Sequence, residues 1–95
     1  MNIYIIGLGL IGSSIARAIR KKELSYKIYG CDTDVDSVNF ALRENIIDES
    51  FFYENLELDQ ASNSLLIVAA SPIVTATIFN QLQHLFNIKS LAITD

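Results

Sequence analysis

The sequence predicts an α/β protein: a doubly wound parallel sheet with helices on both faces, present here in incomplete form. Three observations carry that reading. Short apolar runs rich in β-branched and aromatic residues alternate with segments whose apolar residues recur at helical spacing. The first run hands over to the first helical segment through Gly7-Leu8-Gly9-Leu10-Ile11-Gly12. An acidic residue, Asp32, closes the second run. Alternation of this kind demands right-handed crossovers, and its ligands are received at the carboxyl ends of the strands.

Ile3-Tyr4-Ile5-Ile6 has the continuous apolar character of a buried parallel strand. The helix after the glycines should bury Ile11, Ile15, Ala18 and Ile19, and its far end gathers Arg17, Arg20, Lys21 and Lys22, where unpaired carbonyls favour cations. Lys27 to Cys31 reads as the second strand. A second helix follows from about Val35 to Glu44, with Val35, Val38, Ala41 and Leu42 inward and Asp34 as its N-cap. Asn45 then supplies the left-handed residue that closes it.

Ile46-Ile47-Asp48 leads into a short edge strand at Phe51-Phe52-Tyr53, and 55–62 reads as a loop with a helical turn. Ser64 to Ala70 is the clearest central strand. Ser71-Pro72 opens a third helix, with serine as cap and proline at the first position, and Val74, Ile78, Leu82 and Leu85 as its buried stripe. Leu91 to Thr94 is the last strand.

Strand, turn and helix together turn the G-x-G-x-x-G pattern into a dinucleotide-binding proposal of the Rossmann type, rather than a glycine-rich turn that only shapes a junction. Gly7 permits the tight turn, Gly9 lets the backbone approach a pyrophosphate, and Gly12 lets the helix pack closely. The free amides around Leu10 and Ile11 point at the phosphates with the positive end of the helix dipole behind them. Asp32 lies twenty positions beyond Gly12, the spacing expected of the acid that bonds an adenosine ribose, with Thr33 beside it. A carboxylate there repels the 2′-phosphate of NADP. Two unit charges about 4 Å apart near a surface interact by around 4 kcal/mol. No arginine or lysine lies between Thr33 and Ser37, so NAD is the expected cofactor.

The 95 residues, 51% of them hydrophobic, suffice for one domain with its own core. A net charge of −4 and no basic stripe argue against a nucleic-acid partner. The uncharged stretch from Ile3 to Ala16 could pass for a signal-peptide core, but no cation precedes it and its glycines fall at fingerprint positions. It is also shorter than the roughly 20 apolar residues that span a bilayer, so no membrane association is expected. The single cysteine, Cys31, reads as a small core residue and suits a cytoplasmic setting. No cysteine–histidine cluster has metal-ligand spacing.

Gly7 to Ala16 closely resembles the opening of prephenate and arogenate dehydrogenases, whose fingerprint commonly reads G-x-G-L-I-G-G-S-x-A. Asn45-Ile46-Ile47-Asp48 is similar to that family's G-I-I-D stretch, Ala69-Ala70-Ser71-Pro72 to its strand-end element, and Ala92-Ile93-Thr94-Asp95 to the strand before its D-x-x-S motif. Ser13 and Asn45 stand where the family has glycine. The resemblance implies an NAD-dependent oxidoreductase of tyrosine biosynthesis, which converts prephenate to 4-hydroxyphenylpyruvate by oxidative decarboxylation. Within it Gly7, Gly9, Leu10, Ile11 and Gly12 would hold the pyrophosphate, Asp32 and Thr33 the ribose, and Ala70, Ser71 and Pro72 would border the nicotinamide.

Family members continue into a histidine-bearing catalytic segment and a helical dimerisation domain. Residues 1–95 therefore correspond to the N-terminal dinucleotide-binding domain, truncated, and are expected to be inactive alone. The complete enzyme is expected to be a cytoplasmic homodimer. His84, the only histidine, matches no catalytic motif and should lie far from the strand ends, so no catalytic residue is assigned. Two other readings stay open: a free-standing NAD-binding or redox-sensing module without turnover, and an arogenate or other related NAD-dependent dehydrogenase.

Overall fold

The structure, a computed structural model, describes residues 2–22, 25–52, 64–70 and 90–94, the last through their backbone. The chain runs β1 (Asn2–Ile6), α1 (Leu10–Lys22), β2 (Lys27–Cys31), α2 (Val35–Arg43), β3 (Glu49–Ser50), β4 (Ser64–Ala69) and β5 (Ser90–Thr94). All pairings are parallel, in the order β3-β2-β1-β4-β5. β1 therefore lies between β2 and β4, and the strand order reverses between β1 and β4. In an open α/β sheet that reversal is where a ligand crevice forms.

The pleat sorts the strand residues into two clusters. Ile3 and Ile5 of β1, Ile28 of β2 and Ile67 of β4 face α1 and α2, where Ala16 and Ala41 meet them with essentially no exposure. The opposite face carries Tyr4, Ile6, Leu66 and Val68. There the Tyr4 and Tyr29 rings stack at 4.7 Å and Phe51 meets Tyr4 edge-on at 5.3 Å. Cys31 packs half-buried against the same cluster.

Each helix shows the inward face in a slightly different phase from the one expected. In α1, Gly12 and Ala16 are the buried residues and Ile15 and Ile19 pack against the core, whereas Ile11 and Ala18 are exposed. The two smallest residues let the helix approach the sheet closely, which apolar periodicity does not register. In α2, Val38, Ala41 and Leu42 face inward as expected, but Val35, in the first turn, is exposed. That helix ends at Arg43 rather than Glu44, which caps it.

The α2 terminus follows from its sequence. Asp34 caps the start, accepting from the Asp36 amide, and Ser37 Oγ donates to Asp34 Oδ2. At the other end Asn45 has φ +57°. The Ile46 amide donates to the Ala41 carbonyl and the Asn45 amide to that of Leu42. This is the six-to-one and five-to-two pairing that a left-handed residue makes possible. Ile46 and Ile47 then plunge into the core.

Asp48 finishes this stretch as a latch. Its Oδ2 accepts from the Ile28 amide at 2.8 Å and lies 3.1 Å from Arg20 Nη2, tying the start of β2 to the end of α1. Burial alone would raise the Asp48 carboxyl. The Ile28 amide and the Arg20 guanidinium outweigh it and hold the group below the usual aspartate value.

The edge strand falls at Glu49–Ser50, two residues before the expected Phe51-Phe52. Asp48 and Phe51 donate their amides to the Ile28 and Gly30 carbonyls and so fix the register. Phe51 turns onto the second cluster and Phe52 is exposed. Tyr53, the 55–62 loop, the helix expected after Ser71, His84 and Asp95 lie outside the described residues.

Candidate functional site

Gly7 begins the site with a backbone that few other residues could adopt. Its φ is +102°, and a Cβ there would strike the Ala69 carbonyl at the end of β4. Its amide donates to the Cys31 carbonyl at 2.7 Å. The turn out of β1 is thus pressed between the ends of β2 and β4. A Cβ on Gly12 would strike the Gly7 carbonyl and come within 3.4 Å of Ala69 Cβ. The close packing expected of Gly12 is therefore against the turn itself as well as the strand end.

Gly9 is different: a Cβ on it would meet nothing within 4 Å. No protein atom requires glycine there, and the open space above it is what an approaching diphosphate needs. The Ser13 amide donates to the Gly9 carbonyl at 3.0 Å, which makes Gly9 the cap of α1. Among the described residues, none accepts a hydrogen bond from the amides of Gly9, Leu10, Ile11 or Gly12. Leu10 is 87% exposed at this mouth, with Ile11 beside it.

The two helix starts can be compared directly. α2 has its own acids at the N-terminus, Asp34 and Asp36, whereas the first turn of α1 has none. The positive end of the α1 dipole thus has no acid in its own first turn and opens onto the space over Gly9.

Asp32 is turned toward this mouth. Its Oδ2 accepts from the Leu8 amide at 2.6 Å and its Oδ1 from the Asp34 amide at 2.8 Å. Thr33, next in the chain, is exposed. Ala70 follows β4, half-buried against the second cluster, and Ser71 and Pro72 lie outside the described residues. A groove of about 720 Å³ runs from Leu8, Gly9 and Leu10 between the two helices, with Asp34 on its far wall and Arg17 and Arg43 farther along.

Sequence reasoning missed Ser13 and Leu8 as parts of the site. Ser13 Oγ donates to the Leu8 carbonyl at 2.9 Å. No local pattern announces that bond, because a serine where relatives have glycine reads only as a tolerated change. Among the described residues there is no cluster of metal-ligating side chains, and no helix long and apolar enough to cross a membrane.

No family model matches the chain. A prephenate dehydrogenase of Lactococcus lactis subsp. cremoris is 41% identical over 97 residues, which cover 99% of this chain and 25% of that protein. The structure of A. aeolicus prephenate dehydrogenase in complex with hydroxyphenyl propionate and NAD+ superposes with a TM-score of 0.81 at 24% identity, covering 95% of this chain and 32% of that one. Synechocystis arogenate dehydrogenase superposes with a TM-score of 0.62 at 22% identity, covering 97% of this chain and 30% of that one. The chain thus spans about a quarter of the length of the curated relative it matches. Over nearly its whole length the chain is thus similar in sequence to part of one prephenate dehydrogenase, and in fold to part of the solved prephenate and arogenate dehydrogenases.

Proposed function

We propose that this chain binds NAD as the cofactor-holding part of a prephenate dehydrogenase-like enzyme. One observation carries the reading: a helix start with no acid in its first turn faces the open space over Gly9, with the Asp32 carboxylate held at its side. The amides of Gly9 to Gly12 would receive the diphosphate, Asp32 and Thr33 the adenosine ribose, and Ala70, Ser71 and Pro72 would border the nicotinamide. The bound cofactor would supply a hydride acceptor. This chain's own residues contribute binding, orientation and rejection of a 2′-phosphate.

For the whole protein the proposed reaction is oxidative decarboxylation of prephenate to 4-hydroxyphenylpyruvate, carried out by a cytoplasmic homodimer. The 41% identity to a prephenate dehydrogenase supports that substrate over arogenate. Assaying the longer gene product with each substrate, and following NADH formation, separates the two.

Calorimetry on this chain tests the cofactor assignment. NAD is expected to bind more tightly than NADP, and Asp32→Ala to weaken NAD binding and narrow the gap between them. Unchanged NAD affinity in that variant would remove the ribose assignment.

A further inference from the structure

Leu8 is held from three directions. Its amide donates to Asp32 Oδ2 at 2.6 Å and its carbonyl accepts from Ser13 Oγ at 2.9 Å. Its side chain is buried over Gly30, where a Cβ would lie 3.0 Å from Leu8 Cδ1. The next residue, Gly9, meets nothing in its open direction. The residue that leads into the phosphate-facing amides is therefore clamped at both its backbone amide and its carbonyl, while the amides that follow stay open.

Asp32 is anchored in turn by the Asp34 amide at 2.8 Å. A carboxylate has about four lone-pair positions. The two backbone amides leave room for hydroxyl donors, so the same group can grip a ribose without letting go of Leu8.

We infer that Asp32 is a positioning residue for the phosphate cradle as well as the acceptor of the ribose hydroxyls, with Ser13 as its counterpart across Leu8. The inference rests on the NAD reading above and deepens it. A pre-shaped loop avoids the ordering cost of binding. Removing the carboxylate leaves the part-buried Leu8 amide without its charged acceptor and loosens the loop. The loss then reaches ligands that offer no ribose hydroxyls at all.

The test uses this chain, calorimetry, and two probes, ADP and 2′,3′-dideoxy-ADP. Wild type is expected to bind ADP more tightly than the dideoxy form. Asp32→Ala is expected to weaken dideoxy-ADP by about tenfold, the value of a hydrogen bond to a charged acceptor. Asp32→Asn, which keeps an oxygen for the Leu8 amide, should recover part of that loss. Ser13→Ala is expected to weaken both probes by about threefold, leaving their ratio unchanged. Both alanine variants should speed hydrogen exchange of the Leu8 amide, the one amide of this turn that the clamp protects.

Dideoxy-ADP binding to Asp32→Ala as tightly as to wild type would overturn the positioning role and leave the cofactor reading intact. Wild type that binds neither ADP nor NAD would sink both. If circular dichroism shows Asp32→Ala to be unfolded, Ser13→Ala decides alone, and unchanged affinity with unchanged exchange overturns the inference.

Discussion

Gly9 and Gly12 occupy the same hexapeptide for opposite reasons, and substitution can separate them. At Gly9 a methyl group meets nothing, so Gly9→Ala should fold with a loss near the 1 kcal/mol typical of a poorer cap. It should nonetheless weaken NAD binding strongly, because the methyl fills the space the diphosphate needs. At Gly12 the methyl would strike the Gly7 carbonyl, so Gly12→Ala should cost about 1–3 kcal/mol or more through forced backbone shifts. Thermal unfolding beside calorimetry checks the pair. Full NAD affinity in Gly9→Ala would mean that the space above it is not the phosphate's. The glycine spacing and Asp32 are readable from the sequence because each acts through local geometry. The clamp on Leu8 is not, since it joins residues 24 positions apart whose approach depends on the β1–β2 register.

Asp48 shows what a recognisable stretch conceals until its neighbours are in place. Asn45-Ile46-Ile47-Asp48 can be noticed by resemblance and Asn45 understood as a helix stop, but the carboxylate works on Arg20 and Ile28, brought to it by α1 and β2. Its acidity is strengthened on folding, so it contributes stability that is fully present above the unfolded value, about 3.9, and is lost as pH falls through the lower folded value. Urea unfolding of wild type should therefore steepen its loss of stability below about pH 4. Asp48→Asn should be less stable at neutral pH and flatter across that acid range. Parallel curves for the two proteins would show that the latch carries no such coupling. The shifted inner faces of α1 and α2 have a comparable origin. Apolar periodicity marks large side chains, whereas close helix–sheet contact is set by Gly12, Ala16 and Ala41.

The sheet order brings the ends of β1, β2 and β4 to one mouth, and the Gly7 contacts with Cys31 and Ala69 bind all three together. A ligand seated there engages the folded arrangement and not the unfolded chain, so it should stabilise the entire domain. At a free concentration a hundred times the dissociation constant the gain is about 2.7 kcal/mol. Scanning calorimetry should show a melting temperature that climbs with NAD and climbs less with NADP; a midpoint indifferent to NAD would contradict the proposed site. Alternation of strands and helices suffices to foresee a parallel sheet. The edge register at Glu49–Ser50 needed the Ile28 and Gly30 carbonyls to define it, and no apolar run marks those two polar residues.

β1 pairs on one side with β2 and on the other with β4, where Asn2 meets Ser64. During synthesis its β4-facing edge must wait, unsatisfied, while some sixty further residues leave the ribosome. The nascent chain passes through a stage in which an apolar central strand has only half its partners, the condition under which chaperones bind and chains stick to one another.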